Sequence, residues 1–208
     1  MSQSDIQSVH ITADTTAADA DGVCQSQTPA AGGSQNLTIN GAQASGGVAS
    51  FTAARFITIT SAADETARTF VVTGTDVNGD AQTESITGAD TAAATGTKYF
   101  RTVTQVSVDD DTAGAITVGM ANNALDVVFE GRLRLRGAFI VNSATAGVLS
   151  FNDGSATGTT RLKLGTVASA VGERDVTIPN MGILFRDGAY IPYTAGATVF
   201  TNITAFYA

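Results

Sequence analysis

From Arg132 to Arg136 the chain reads RLRLR, and only an extended strand turns that run into an ordered surface. Successive side chains of a strand point to opposite faces, so Arg132, Arg134 and Arg136 line one side and Leu133 and Leu135 the other. The continuation GAFIV carries Phe139, which is expected on the inward run with the leucines.

The two-residue period recurs along the chain. RFITITS, from Arg55, sets Ile57 and Ile59 against Phe56, Thr58 and Thr60, and KYFRTVTQVSVDD, from Lys98, points Phe100, Val103, Val106 and Val108 inward. TFVVTGTD, AGAITVG, GVLSFNDG, TTRLKLGTV and ATVFTNITAFYA alternate in the same way. Turn residues separate the runs: Asn78-Gly79 is read as a hairpin because both positions tolerate positive φ, and turns are expected at residues 152–154 and at Asp187-Gly188. Many short strands bounded by Gly, Asn and Asp describe an all-β protein of sandwich or barrel-like modules.

A chain of 208 residues is long enough for one large β domain or two small ones. The pattern divides it into an extended N-terminal arm with the first strand or strands (residues 1–50), an immunoglobulin-like β-sandwich (residues 51–124) and a second all-β module (residues 125–208). Residues 14–47 are so rich in Ala, Gly, Ser, Thr and Gln that they read as a segment borrowing order from a neighbour, with one short strand at residues 36–40.

Charge follows the division. Residues 1–126 hold four basic and fourteen acidic side chains, a balance of −10, while residues 127–208 hold seven and five, a balance of +2; the whole chain is at −8. Three arginines in so acidic a molecule work against its own field as a phosphate-binding groove, so no nucleic acid is expected. They suit either a solvated face or an acidic protein neighbour, because the guanidinium pairs well with carboxylates at interfaces.

Chemistry is thinly represented. Cys24 and His10 are the single residues of their types, and no local motif supports a thiol–histidine pair. No GxSxG, Walker-type loop, CxxC or HExxH occurs, and without Trp the usual platform of a sugar groove is missing. Asp109, Asp110 and Asp111 present hard oxygen ligands, yet their consecutive spacing differs from an EF-hand loop, so a strand-end turn is the reading and no metal or other cofactor is expected. No apolar run approaches the ~18 residues that cross a bilayer, and the N-terminus lacks the layout of a secretory signal, so a protein made in the cytoplasm with no membrane partner is expected.

Aromatic residues gather near the end of the chain. Tyr190, Tyr193, Phe200, Phe206 and Tyr207 fall within its last nineteen residues, and alternation buries some of them. Tyr190, Tyr193, Phe206 and Tyr207 join Arg132, Arg134 and Arg136 as candidate interface residues, since aromatics and arginine are enriched in interface cores.

The stretch YFRTVTQVSVDDDTAGAITVG, preceded by the hairpin TFVVTGTDVNGDAQTESITG, resembles a module of tailed-bacteriophage virion proteins over residues 55–119. GILFRDGAYI, followed by a terminal strand with aromatic residues, is similar to the C-terminal halves of phage capsid-decorating and tail-associated proteins. The resemblance implies a non-enzymatic virion structural protein, foremost a capsid decoration (cement) protein that binds and stabilises the head shell. A tail-, neck- or fibre-associated virion protein, or a glycan-binding β-sandwich module, is the alternative. The implied partners are the major capsid protein or other virion proteins, the implied location is the virion, and a homo-oligomer is expected with a trimer favoured.

Overall fold

The computed structural model describes residues 5–168 and 172–208. In chain order its strands are β1 (Gln7–Thr12), β2 (Asp19–Gln27), β3 (Gln35–Asn36), β4 (Ala44–Ser45), β5 (Val48–Ser61), β6 (Thr69–Thr75), β7 (Ala81–Thr87), β8 (Ala93–Thr95) and β9 (Phe100–Val108). They continue with β10 (Ile116–Phe129), β11 (Leu133–Asn142), β12 (Gly147–Asp153), β13 (Thr159–Thr166), β14 (Glu173–Thr177), β15 (Ile183–Phe185), β16 (Ala189–Thr194) and β17 (Phe200–Tyr207). The protein is all-β and of sandwich type, as its alternation implies.

Two compact units form, each with its own core. One comprises Thr16–Asn123; the other joins Met1–Thr15 to Ala124–Ala208. Residues 1–50, expected as an arm, are therefore shared out: their first fifteen belong with the C-terminal half, and the remainder is built into the central unit. The modules are not simply strung one after another, because β1 pairs antiparallel with β17, placing Gln7 opposite Tyr207 and Ile11 opposite Ile203.

In the central unit the strand order is β10-β5-β9-β6-β7, with β2 added to β10, β3 to β9, and β4 and β8 to β5. Ile57, Ile59, Phe70, Val72, Phe100, Val103, Val106, Ile116 and Val118 are fully buried in one cluster, each large apolar side chain contributing about 1.5–3 kcal/mol by leaving water. The three-residue steps from Phe100 to Val103 and from Val103 to Val106 depart from strict alternation, and the β6–β9 pairing accordingly slips between Thr73–Gln105 and Gly74–Val103. Gly74 is required there: a Cβ on it would lie 1.9 Å from the Thr102 carbonyl oxygen.

Two local expectations change in this unit. The hairpin expected at Asn78-Gly79 forms and joins β6 to β7, but its loop spans residues 76–80: the Asp76 carboxylate accepts the amides of Asn78 and Asp80 at 2.8 and 3.0 Å, and of the pair Gly79 alone takes positive φ (93°). Residues 19–27, expected as arm, form the nine-residue strand β2, whose Val23 and Cys24 are fully buried. A strand needs only two inward side chains to be fixed when its backbone pairs with β10, and that pairing is invisible in local composition.

Arg55 is also fully buried here. Its Nε and Nη2 donate to the Ala121 carbonyl at 2.9 and 2.6 Å, and its Nη1 donates to the Thr16 carbonyl at 3.1 Å. One guanidinium thus ties together the two chain segments at the limits of the unit, which lie far apart in sequence.

The other unit packs two sheets face to face. The first has the order β1-β17-β11-β14, with β15 also on β11; the second contains β13-β12-β16 beside β10. Ile11, Leu133, Leu135, Ile140, Leu149, Phe151, Phe185, Ile191, Phe200 and Ile203 come from both sheets and fill the space between them.

Candidate interaction surface

The arginine stripe sits at the start of β11 on the C-terminal unit. Leu133 and Leu135 are buried, 2% and 0% exposed, while Arg132 is exposed just ahead of the strand and Arg134 and Arg136 are half-buried on its outer face. Among the described residues none of the three arginines has a carboxylate within ion-pair distance. Around them lie β15, whose Leu184 pairs with Arg134, and the turn at Gly182 (φ 76°), where an added Cβ would lie 3.1 Å from Arg136 Cδ.

The stripe ends at a bulge. Leu135 pairs with Tyr207 but Gly137 with Phe206, so Arg136 is the extra residue and the inward set moves from positions 133 and 135 to 138 and 140. This corrects the expectation for Phe139: the bulge turns its half-buried ring to the outer face, where it stands between Thr204 of β17 and Asp175 of β14. Phe206, 38% exposed, lies on that same outer face and covers Gly137.

A small pocket of about 170 Å³ opens beside Arg132, lined also by Asp5, Gln7, Phe129, Leu133, Tyr207 and Ala208. Its floor is a stacked pair, Phe129 and Tyr207, with ring centroids 5.4 Å apart and planes at 30°. Phe129 is 42% exposed and was not singled out by the sequence pattern; the signal was an aromatic residue at the last position of a strand, immediately before the Glu130-Gly131 turn, where Gly131 takes φ of 91°.

The remaining aromatic candidates are turned inward. Tyr190 is only 7% exposed. Tyr193 is half-buried, its hydroxyl donating to Asp126 Oδ2 at 2.8 Å and accepting the Asp14 amide at 2.9 Å, while its ring meets Phe200 edge-on at 5.0 Å. Burial and then the neighbouring Asp126 carboxylate push the Tyr193 phenol well above its ordinary range. These two tyrosines are part of the unit's own fabric; Phe206 and Phe129 are exposed, and Tyr207, opposite Leu135, is half-buried and packs partly against the core.

The expected turns at residues 152–154 and 187–188 interlock behind this region. Asp153 Oδ1 accepts the Arg186 and Asp187 amides at 2.8 and 3.0 Å, and Asp153 Oδ2 accepts Arg161 Nε and Nη2 at 3.0 and 2.8 Å. Burial would raise the Asp153 pKa, but the Asp187 amide, the Arg161 side chain and the Arg186 amide outweigh it and hold the carboxyl below its ordinary value.

Part of the central unit's acidic set is gathered at one end. Asp64 and Asp90 meet across an isolated β-bridge, and Arg68, three residues past Glu65, reaches Asp110 at 3.8 Å. Asp110 Oδ1 accepts the Gly33 and Asp111 amides, and Asp111 Oδ1 accepts the Gly32 amide and the Gln35 side chain. Those amides, that of Asp111 first, and then the Arg68 charge hold the Asp110 pKa below its ordinary value. The Asp109–Asp111 run thus anchors residues 32–35, and no group of three or more His, Cys, Asp or Glu suited to a metal ion occurs among the described residues. An open depression of about 370 Å³ elsewhere on this unit is lined by Thr73, Ala81, Gln82, Thr83 and Lys98, without an aromatic ring.

Cys24 is fully buried among apolar neighbours, which push its thiol up to about 12, and His10 lies on the outer face of β1 with Nδ1 3.3 Å from Thr204 Oγ1. A thiol in that state is not a nucleophile. The chain was compared with protein-family models, with curated proteins and with solved structures, and it matches none of them.

Proposed function

We propose that this protein is a non-enzymatic structural component of a bacteriophage virion, foremost a decoration protein that binds the head shell through its C-terminal unit. The observation that carries the reading is the surface around the start of β11: three arginines that among the described residues have no ion-pair partner, exposed Phe206 on the same outer face, and exposed Phe129 with half-buried Tyr207 beside Arg132. A paired strand fixes the backbone beneath these side chains before a partner arrives, and arginine and large aromatic residues are enriched among those that dominate interface energetics. The sequence resemblance over residues 55–119 supplies the virion context. Tail, neck or fibre attachment is the runner-up within the same class.

Copy number per particle tests the reading. Quantitative mass spectrometry of purified virions is expected to find on the order of hundreds of copies, as shell symmetry demands, whereas about six or twelve would move the protein to the tail or neck. Its absence from virions, together with failure to co-sediment with expanded capsids, removes the whole class.

A further inference from the structure

The chemistry of the arginine face restricts how copies of this chain can meet. Arg132, Arg134 and Arg136 form a basic face that, among the described residues, makes no ion pair of its own, and an acidic surface complements such a face. Such a surface exists on the same polypeptide: residues 16–123 carry four basic and eleven acidic side chains, a balance of −7. Asp64, Asp90, Asp109, Asp110 and Asp111 are gathered at one end of that unit by the bridge and ion pair described above, with Asp64, Asp90, Asp109 and Asp110 exposed.

We infer that this protein assembles with itself head to tail, the Arg132–Arg134–Arg136 face of one copy docking on the acidic end of the central unit of the next. The inference rests on the interface reading of the arginine face but not on any role in a virion. A heterologous contact of this kind leaves one arginine face and one acidic end open on every partial assembly, so it propagates until a ring closes. The pocket floored by Phe129 and Tyr207 beside Arg132 provides the desolvated anchor point, and the surrounding charges set orientation and on-rate.

Charge-removal variants of the full chain test it by sedimentation velocity. The wild type at about 100 µM is expected to form oligomers at low salt and to lose at least about tenfold in association as ionic strength rises to about 0.5 M, where screening shortens to a few ångströms. Arg132→Gln/Arg134→Gln/Arg136→Gln keeps its acidic end but loses the face; Asp90→Asn/Asp109→Asn keeps the face but weakens the acidic end. Each alone is expected to sediment as a monomer, and an equimolar mixture is expected to give a 1:1 dimer and nothing larger, because only one complementary pair of surfaces remains. Circular dichroism and melting of each variant confirm that it is folded, and Asp90→Lys/Asp109→Lys replaces the Asn pair if that pair retains association.

A wild-type monomer at all salts overturns the inference, as does wild-type oligomerisation by the arginine variant or by the Lys pair, or a mixture that stays monomeric. Capsid co-sedimentation separates the two readings: a wild type that binds capsids yet never self-associates overturns the head-to-tail contact and leaves the virion role standing, and the reverse result does the opposite.

Discussion

Tyr193 and Asp126 share a 2.8 Å hydrogen bond in which the phenol donates to a carboxylate that is only 6% exposed. The same hydroxyl accepts the amide of Asp14, so one aromatic side chain links the segment after β1, the C-terminal end of β10 and β16.

Tyr193→Phe removes that hydroxyl and keeps the ring against Phe200. Loss of a buried hydrogen bond to a charged acceptor, with the Asp14 amide deprived as well, is expected to destabilise the C-terminal unit by about 1–3 kcal/mol in urea denaturation. Particle binding by the folded fraction should be unchanged, since the side chain does not belong to the outer surface; reduced binding at full folding would return Tyr193 to the interface.

Two glycines of neighbouring elements separate crowding from backbone conformation. At Gly74 an added Cβ meets the Thr102 carbonyl at 1.9 Å, and neither strand can yield without breaking the β6–β9 pairing, so Gly74→Ala is expected to cost about 3 kcal/mol, the upper end of overpacking. At Gly79 nothing lies within 4 Å and only the φ of 93° is unfavourable, so Gly79→Ala is expected to cost about 1–2 kcal/mol. Thermal melts of the two variants should preserve that order.

Asp153 makes stability depend on pH with a definite sign. Its folded pKa lies below the unfolded value near 3.9, so its contribution is present above about pH 4 and disappears as pH falls through the folded pKa. Asp153→Asn should therefore narrow the gap in urea midpoint between pH 6 and pH 3, the wild type losing more stability than the variant on acidification. Equal losses in both proteins would mean that other carboxylates govern the acid limb.

Cys24 is a reporter of opening. A thiol raised to about 12 and fully buried is expected to resist an aromatic disulfide reagent in the native protein and to react at once in about 6 M guanidinium. Rapid labelling without denaturant would show that β2 detaches from the core readily.

Strand content and the inward residues of the long strands could be read from the chain because side-chain alternation is a local property. Leu133 and Leu135, Ile57 and Ile59, and the irregular series Phe100, Val103, Val106 and Val108 all occupy the core positions their spacing implies. Alternation also placed Arg134 and Arg136 on an outer face. It failed at Phe139, because a bulge at Arg136 reverses the phase and the register with β17 that creates the bulge is set some seventy residues away in sequence.

Pairing partners lay beyond that reach. Residues 19–27 are too polar to announce a strand and become one because β10 offers them a ladder, and β1 finds its place only against β17 at the other end of the chain. The aromatics show the same limit: the sequence put five of them near the C-terminus, four as interface candidates, but only packing decided that Tyr190 and Tyr193 turn inward, that Phe206 is exposed and that Tyr207 stacks half-buried on Phe129. The period of two determined which faces exist; hydrogen bonding between distant segments decided which of them water still reaches.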